Sequence, residues 1–381
     1  MVRIAVLGAG VIGLSCAIKI KEKYKDFQVV LISKEFSPNT TGDGSGGLWY
    51  PYLCGRTPAH LIAKWGGESY KFLHELWLEG GNDVCTVPMY CLNRKRKELI
   101  RPEWADLVFG FQELEQKQLQ HLSGLYSCQY ATGHTFITLI IPPLKLMEYL
   151  HQRFKNSRGD IQQATVKSLQ DKTLAQYDIV VNCTGMGARE LVPDHNVYPI
   201  RGQVAKVIAP WITECVIDED GGNYIIPNAD ACVLGGTHQE HDYNTNVNDE
   251  DTEFILKGCQ KMVPSLKDAK VVGHWAGLRP GRYEIRLEPE NRDGKLFIHN
   301  YGHGGSGLTL FWGCATEPAG CPACRPAGGR PVPRGRAAWS APTPRTLRRG
   351  PARGSPAPPT AAGRRRARGP AAPSAADPSS C

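Results

Sequence analysis

Residues 6–13 read Val6-Leu7-Gly8-Ala9-Gly10-Val11-Ile12-Gly13, a run in which three glycines have the G-x-G-x-x-G spacing. A short apolar run, Arg3 to Leu7, precedes the first glycine, and apolar residues with helical spacing follow the last one. A second apolar run, Phe27 to Ile32, comes next. Strand, glycine turn, helix and strand in this order predict a βαβ unit that binds a dinucleotide.

Each glycine of this turn has its own physical reason. Gly8 allows the sharp change from strand to helix, Gly10 lets the main chain approach a pyrophosphate, and Gly13 lets the helix pack closely on the strand. The amino end of the helix adds free N–H groups and a positive dipole for the phosphates. An isolated glycine motif is more often a plain turn, but the flanking elements here support a cofactor site.

The end of the second strand should supply an acid for the ribose hydroxyls, but the sequence there is Ser33-Lys34-Glu35. The acid therefore stands one position late. Glu35 can still reach the ribose, whereas Lys34 would suit a phosphorylated ribose. The residues alone leave both possibilities open.

The formal charge of +8 is not spread evenly along the chain. Residues 318–381 contain twelve Arg, no Lys and one acid, together with fourteen of the twenty-eight prolines. The rest of the chain is therefore mildly acidic, which argues against nucleic-acid binding by the folded part. Because residues 318–381 hold few large apolar side chains, we expect them to form a disordered tail.

Other classes of protein find little support in the sequence. Met1 leads directly into the first strand, which predicts no signal peptide, and no apolar run is long enough to cross a membrane. The thirteen cysteines are scattered and are expected to be mostly reduced, buried residues. A lone C-x-x-C at Cys321 and Cys324 lacks a second pair or a nearby histidine, so we predict no metal site. Nothing in the sequence indicates an oligomeric state.

Further along, strands at 135–141, 177–182 and 203–207 alternate with helical stretches, so we predict a mixed α/β fold. The second of these strands runs into Thr184 and Gly185. Small residues at this point would let a flat ligand lie against the main chain, or they form only a turn. The residues alone allow both interpretations.

Seven motifs, spread in order from Val2 to about Glu317, together resemble the family of D-amino-acid oxidases and D-aspartate oxidases. The motifs are the glycine turn, Phe36-Ser37-Pro38-Asn39-Thr40-Thr41, Val180-Val181-Asn182-Cys183-Thr184-Gly185, Arg201-Gly202-Gln203, Ala209-Pro210-Trp211, Gly277-Leu278-Arg279-Pro280 and His299-Asn300-Tyr301-Gly302-His303-Gly304-Gly305. The resemblance implies an FAD-binding domain with a glycine-turn βαβ unit, and a substrate domain with a mainly antiparallel sheet. The implied boundaries are 1–50, 143–190 and 272–317 for the FAD-binding domain, and 51–142 and 191–271 for the substrate domain.

The same resemblance implies FAD as cofactor and a D-amino acid as substrate. The substrate would be oxidised to an imino acid, oxygen would reoxidise the flavin to give hydrogen peroxide, and hydrolysis would release a 2-oxo acid and ammonia. No acid/base residue is needed if the substrate amine is neutral, because the protein has only to position the substrate Cα–H against the flavin. Glycine and sarcosine oxidases share this fold and cofactor, but they would not explain the arginine motif and the histidine–glycine loop together.

By this resemblance, five residues bind the substrate. Arg279 would clamp the carboxylate through two parallel donors, Tyr224 would also hold it, and Tyr52 would form the pocket wall. Ser306 belongs to the glycine-rich loop that lies against flavin and substrate. His238 stands where the D-aspartate oxidases have an arginine for the side-chain carboxylate.

The resemblance also implies a set of residues that contact the FAD. His303, in the same glycine-rich loop, is expected to hold the loop by hydrogen bonds rather than to act as a base. The residues expected at the FAD are Gly8, Ala9, Gly10, Val11, Ile12, Gly13, Lys34, Glu35, Thr40, Thr41, Gly46, Gly47, Leu48, Val166, Thr184, Gly185, Arg279, Gly304, Gly305, Ser306, Gly307, Leu308 and Thr309.

The sequence is divided on the substrate side chain. The segment Ile212 to Asn223 is shorter than the lid of the neutral-substrate oxidases and similar to that of the D-aspartate oxidases, which favours acidic substrates. Residues 47–53 and 304–305 look more like the neutral-substrate oxidases. We therefore expect D-aspartate and D-glutamate, with neutral D-amino acids as the alternative. His238 in place of an arginine would make an acidic preference weaker or pH-dependent.

The chain departs from the family after Glu317. The family continues into a helix that packs on the FAD-binding domain and ends in a peroxisomal address similar to Ser-Lys-Leu, whereas here Pro318 is expected to end any helix and the last residues are Ser379-Ser380-Cys381. The abrupt change of composition resembles a shifted reading frame or a retained intron. The resemblance implies a peroxisomal protein, with the cytosol as the alternative. An alternative of another class is a catalytically impaired protein whose basic tail binds polyanions.

Overall fold

The computed structural model describes residues 1–95 and 98–321, and within these it contains two β-sheets and eight α-helices. The strands are β1 (Arg3–Leu7), β2 (Gln28–Ser33), β3 (Cys85–Asn93), β4 (Phe109–Glu113), β5 (Thr132–Ile140), β6 (Asp160–Gln163), β7 (Ile179–Asn182), β8 (Tyr198–Ile208), β9 (Cys215–Asp218), β10 (Asn223–Pro227), β11 (Cys232–Gly235), β12 (Gln239–Glu240), β13 (Lys270–Gly281), β14 (Arg286–Arg292) and β15 (Lys295–Tyr301). The helices are α1 (Val11–Lys23), α2 (Ala59–Glu79), α3 (Gln116–Leu125), α4 (Pro143–Asn156), α5 (Ala188–Leu191), α6 (Asp249–Met262), α7 (Gly307–Cys314) and α8 (Thr316–Gly320).

The first sheet has the strand order β14-β15-β7-β1-β2-β6, and its five strands from β15 to β6 are parallel. β1 lies between β2 and β7 and is buried along most of its length, so it reads as a continuous apolar run. α1 connects β1 to β2 and packs against the sheet. The predicted βαβ unit and the mixed α/β fold are both confirmed.

The glycine turn holds α1 against the sheet at very close range. Gly8 has a positive φ of 98°, a conformation that favours glycine. A Cβ atom at Gly13 would overlap the carbonyl oxygen of Gly8, and a Cβ at Gly8 would overlap the carbonyl oxygen of Cys183 at the end of β7. Helix, turn and neighbouring strand therefore meet through main chain alone.

The second sheet is larger and mainly antiparallel. Its strand order is β12-β8-β11-β10-β9-β3-β5-β4. β11 and β12 pair with one edge of β8, and β13 pairs with the opposite edge. β3 and β9 form a parallel pair. The division predicted from the sequence put residues 272–281 with the FAD-binding part, but β13 pairs with β8 over Lys270–Gly281. The chain returns to the first sheet only at β14. The other domain boundaries remain a prediction.

The expectation that Pro318 ends any helix is wrong. Pro318 is the third residue of α8, where its missing N–H is not needed because the first turn of a helix has no intrahelical acceptor for these groups. α8 packs on α1: the Tyr24 hydroxyl donates to the Ala319 carbonyl at 3.3 Å, and Lys19 Nζ donates to Thr316 Oγ1 at 2.7 Å. Residues 322–381 of the predicted tail lie outside the described residues.

In the part of the chain that the structure describes, no helix is long and apolar enough to cross a membrane. The same part contains no group of three or more His, Cys, Asp or Glu residues placed to hold a metal ion.

Replacing Gly13 with alanine tests the contact between helix and turn. The new Cβ would collide with a carbonyl oxygen that cannot move without shifting β1, so we expect Gly13→Ala to lower the free energy of unfolding by about 3 kcal/mol. Gly124→Ala is the matched control, because Gly124 also lies in a helix but a Cβ there meets no atom. Urea titration should show the control unchanged or up to about 1 kcal/mol more stable. Equal stability of the two variants would contradict the proposed contact.

Candidate cofactor and substrate site

A cavity of about 380 Å³ opens at the carboxyl ends of β1, β2 and β7, which is where open parallel sheets bind their ligands. It extends from the glycine turn to one face of the second sheet. The structure brings most of the predicted site residues to this cavity. These are Gly8, Ala9, Gly10, Val11, Ile12, Glu35, Thr40, Thr41, Gly46, Gly47, Leu48, Tyr52, Thr184, Gly185, Tyr224, Arg279, Gly304, Gly305, Gly307 and Leu308.

The turn end of the cavity suits a pyrophosphate. Gly10 is the residue before α1, it provides no side-chain cap, and the first turn of the helix carries no acid. A Cβ at Gly10 would enter open space rather than protein, so the main chain there is accessible to a ligand. The free N–H groups and the positive end of the helix dipole therefore face the cavity without competition from the protein.

The next part of the cavity distinguishes the two candidates at the ribose position. Glu35 lines the cavity, together with Ser33 at the end of β2. Lys34 does not line it, and its side chain is 71% exposed beside Glu35. The carboxylate accepts hydrogen bonds from hydroxyl groups, so the structure favours a ribose with free hydroxyls over a phosphorylated one.

A buried carboxylate shapes the loop over the cavity. Asp43 accepts from the main-chain N–H and the hydroxyl of Thr40, both at 2.7 Å, and from the Ser37 hydroxyl at 2.5 Å. These bonds fix Thr40 and Thr41 at the cavity wall. The Thr-x-x-Asp spacing of a capping box could have identified this anchor in the sequence.

Two hydroxyl groups before and in α7 hold the segment that carries the pocket tyrosines. Ser306 Oγ accepts from the N–H of Tyr52 at 2.6 Å and donates to its carbonyl at 2.8 Å. Thr309 Oγ1 accepts from the N–H of Tyr50 at 3.1 Å and donates to its carbonyl at 2.8 Å. Because alternate residues of an extended segment share a face, this clamp aims both tyrosines into the cavity.

The far end of the cavity brings Arg279, Tyr52 and Tyr224 together. Arg279 Nη1 donates to the Thr237 carbonyl at 2.9 Å, and its guanidinium carbon lies 5.9 Å from the centre of the Tyr52 ring. Two glycines leave the space that these side chains occupy. A Cβ at Gly202 would overlap the Arg279 guanidinium, and a Cβ at Gly235 would overlap the Tyr224 ring. Three polar groups therefore converge on one point of the cavity.

The raised pKa values of Tyr52 and Tyr224 keep their hydroxyl groups protonated, so both can donate hydrogen bonds. Burial raises the pKa of Tyr52 to about 12, although the Arg279 charge opposes the shift. Burial likewise raises the pKa of Tyr224, again against Arg279. Burial lowers the pKa of His303 to about 3, so this ring is neutral at physiological pH. None of these three groups has a pKa suited to a general base near neutral pH.

Several cavity residues were missed from the sequence. Tyr50 lines the cavity, and its hydroxyl donates to the Glu219 carboxylate at 2.9 Å across 169 residues of chain. An apolar wall stands beside it, and no local motif signals a wall that strands from distant parts of the chain build. The residues of this wall are Val204, Ile217, Ile226 and Trp275.

Six predicted residues do not line the cavity. Gly13 packs on Gly8, Ser306 and Thr309 hold the main chain behind the pocket, and Lys34 points to solvent. The other two predicted residues that do not line the cavity are Val166 and His238. Val166 packs against the core on the other side of the first sheet, and His238 is exposed.

Buried polar atoms in the cavity wall show that it fits a polar cofactor. Ser45 Oγ, Asn300 Oδ1 and His303 Nε2 are buried without a hydrogen-bond partner in the described residues, and all three residues line the cavity. Nε2 of His303 therefore does not make the hydrogen bonds that we expected to hold the loop. The main-chain carbonyl of His303 does accept a hydrogen bond from the N–H of Ser306. Buried polar groups normally have partners, so these atoms are suited to contact a bound molecule with its own donors and acceptors.

A βαβ glycine turn that opens into a cavity with a carboxylate at the ribose position is typical of dinucleotide-dependent enzymes. The profile of the FAD dependent oxidoreductase family matches residues 3–319, and the chain belongs to that family. FAD is accordingly the cofactor of this protein.

Comparison with known proteins gives relatives that are named D-amino acid oxidase and relatives that are named D-aspartate oxidase. A D-amino acid oxidase of Dugesia ryukyuensis is 35% identical over 326 residues, covering 82% of this chain and 95% of the relative. A D-aspartate oxidase of Homo sapiens is 36% identical over 324 residues, covering 83% and 93%. Among solved structures, FAD-bound, dithionite-reduced L-alpha-glycerophosphate oxidase of Mycoplasma pneumoniae has a TM-score of 0.68 at 17% identity, covering 84% of this chain and 94% of that one. This last likeness shows the fold alone.

The ribose position can be tested with two neighbouring substitutions. Glu35→Gln removes the charged acceptor from the cavity, so we expect the Kd for FAD to rise about tenfold. Lys34→Gln is the control and should change the Kd less than twofold, because Lys34 lies outside the cavity. Quenching of flavin fluorescence on titration measures both. A larger effect of the lysine substitution would contradict the assignment of Glu35.

Proposed function

We propose that this protein oxidises D-amino acids to imino acids, using FAD and passing the electrons to oxygen, with 2-oxo acid, ammonia and hydrogen peroxide as final products. The observation that carries the proposal is the convergence of Arg279, Tyr52 and Tyr224 at the far end of the cofactor cavity. The named D-amino acid and D-aspartate oxidase relatives support the same chemistry. A peroxisomal location, with the cytosol as the alternative, rests on the family resemblance and is part of the proposal.

FAD, when bound, supplies the acceptor for the substrate hydride. The task of the protein is to hold the amino acid still and to keep water away. Arg279 binds the substrate carboxylate through the donors that Thr237 leaves free, and the Tyr52 and Tyr224 hydroxyls, which stay protonated, donate to the same group. His303 is neutral and takes no proton, so the amine enters uncharged or loses its proton to water.

The charges around the cavity support a substrate with an uncharged side chain. Arg279 is the one cation among the described lining residues, and it is used by the α-carboxylate. His238, expected to meet a side-chain carboxylate, is exposed and does not line the cavity. Glu219 is exposed and does not line the cavity, but it adds a negative charge at the hydroxyl of Tyr50, and we propose that the substrate side chain faces Tyr50. We therefore propose neutral D-amino acids, rather than the acidic ones that the short lid segment favours.

Peroxide release from purified protein with added FAD tests the proposed reaction. We expect turnover of D-alanine and D-proline, weaker turnover of D-aspartate and D-glutamate, and none of the L-forms. Arg279→Lys should reduce kcat/KM about a hundredfold, mainly through KM, because an ammonium group cannot reproduce the two parallel donors. Arg101→Lys, on the surface beside Asp106, is the control and should match the wild type. Bound flavin without peroxide would contradict the proposal and favour a catalytically impaired protein.

The proposed effect of the Glu219 charge on the choice of substrate can be tested by substitution. Glu219→Gln keeps the shape and the bond to Tyr50 but removes the negative charge, so we expect kcat/KM for D-aspartate relative to D-alanine to rise about fivefold. Glu113→Gln, on the exposed edge strand β4, is the matched control. The wild-type and Glu219→Gln ratios should converge at high salt, because solvent ions screen an exposed carboxylate. An unchanged ratio at low salt would argue against the wall as the selective element.

A further inference from the structure

His299 is a fully buried ionisable residue that the proposed reaction does not use. It lies at the carboxyl end of β15, in register with Asn182 of β7, which in turn pairs with Leu7 of β1. The turns that follow Leu7 and Asn182 both line the cofactor cavity, at Gly8 and Thr184. His299 therefore stands directly behind the cavity wall, although it does not line the cavity itself.

A chain of hydrogen bonds leads from His299 to this wall. Its Nδ1 lies 3.2 Å from the amide nitrogen of Asn182, and the amide oxygen of Asn182 accepts from Thr184 N at 3.2 Å and from Thr184 Oγ1 at 2.8 Å. An amide nitrogen is only a donor, so Nδ1 must be the acceptor and Nε2 must carry the hydrogen. Nε2 lies 2.9 Å from a carboxylate oxygen of Glu290, which completes the chain.

We propose that His299 is a positioning residue for FAD: its neutral Nδ1 orients the Asn182 amide, which then holds the Thr184 turn in the shape that the cofactor contacts. If the amide were reversed, its nitrogen would face the N–H and hydroxyl of Thr184, and the turn would lose its acceptor. The proposal rests on the FAD site and not on the identity of the amino acid substrate.

The charges around the ring support its neutral form. Burial lowers the pKa of His299, the Arg286 charge lowers it further, and Glu290 and Glu288 oppose these effects only in part. Glu290 itself is held by Arg286 at 3.0 Å and by Arg292 at 2.7 Å. The groups that face the ring are thus Asn182 from β7, Arg286, Glu288 and Glu290 from β14, and Tyr301 from its own strand.

Two substitutions separate the two ring nitrogens. His299→Asn places an amide oxygen where Nδ1 stands and keeps the acceptor for Asn182, whereas His299→Gln keeps a donor for Glu290 and loses that acceptor. We expect the Kd for FAD to stay within about threefold of the wild type in His299→Asn and to rise about tenfold in His299→Gln. Equal Kd values for the two variants would overturn the proposal, as would a weaker His299→Asn.

The pH dependence of FAD binding distinguishes the proposed role of His299 from a role in which its ring only fills space. Because the protonated ring cannot accept from Asn182, FAD affinity of the wild type should fall as the pH drops through the pKa of His299, which burial places below the usual value for histidine. His299→Asn should lack this fall between pH 7 and 4.5. His303 does not interfere in this range, because its pKa is about 3. A fall of the same size in His299→Asn would overturn the proposal.

The far end of the chain allows a test that avoids changing His299. Thr184→Val removes the hydroxyl that Asn182 accepts from and should also raise the Kd for FAD severalfold. Combined with His299→Gln, it should add little, because both changes break one network. Fully additive effects would overturn the proposal. All of these titrations use FAD without substrate, so they stand whether or not D-amino acids are oxidised, and thermal unfolding of the apoprotein shows whether each variant is folded.

Discussion

The close approach of main chain at the glycine turn is the constraint on which the site depends. α1 can lie against β1 only because Gly13 presents no side chain to the carbonyl of Gly8, and Gly8 in turn sits against the end of β7. This arrangement leaves the first N–H groups of α1 facing open space. It also brings the ends of β1, β7 and β15 to one edge, where their following turns form a continuous wall.

The substrate end depends on a different kind of contact. There the second sheet contributes Arg279 and Tyr224, while Tyr50 and Tyr52 come from an extended segment that belongs to no strand. Trp49 anchors this segment in the core and bonds to Leu139 and Thr138, and the hydroxyls of Ser306 and Thr309 bond to the main chain on either side of it. Parts of the chain that are 254 and 259 residues apart thus define one pocket. The rigidity of the pocket comes from these polar clamps and from the apolar wall together.

The sequence was a good guide where one short stretch of chain makes the whole feature. The glycine turn could be predicted because spacing within a few residues determines it, whereas the residues alone left Glu35 and Lys34 open and only the family resemblance pointed to Thr40. A motif gives position along the chain but not the direction of a side chain: Thr237 bonds inward to Gln203 and Arg279, whereas His238 beside it is exposed. The pairing of Tyr50 with Glu219 joins two positions outside the strands that are 169 residues apart, and the buried network behind Thr184 depends on the register between β7 and β15. No local pattern encodes such pairs.

The clamp around Tyr50 and Tyr52 has a consequence for how this protein can change in evolution. A two-residue step along an extended segment is matched there to a three-residue step at the start of a helix, with both hydroxyls bonded to N–H and carbonyl groups at once. Inserting or deleting one residue in either segment would break the match at both positions. The two segments must therefore keep their lengths together, whereas the clamp bonds only to main chain at 50 and 52 and does not itself determine which side chains stand there. The pocket can change its preference by substitution while its frame tolerates no change in length.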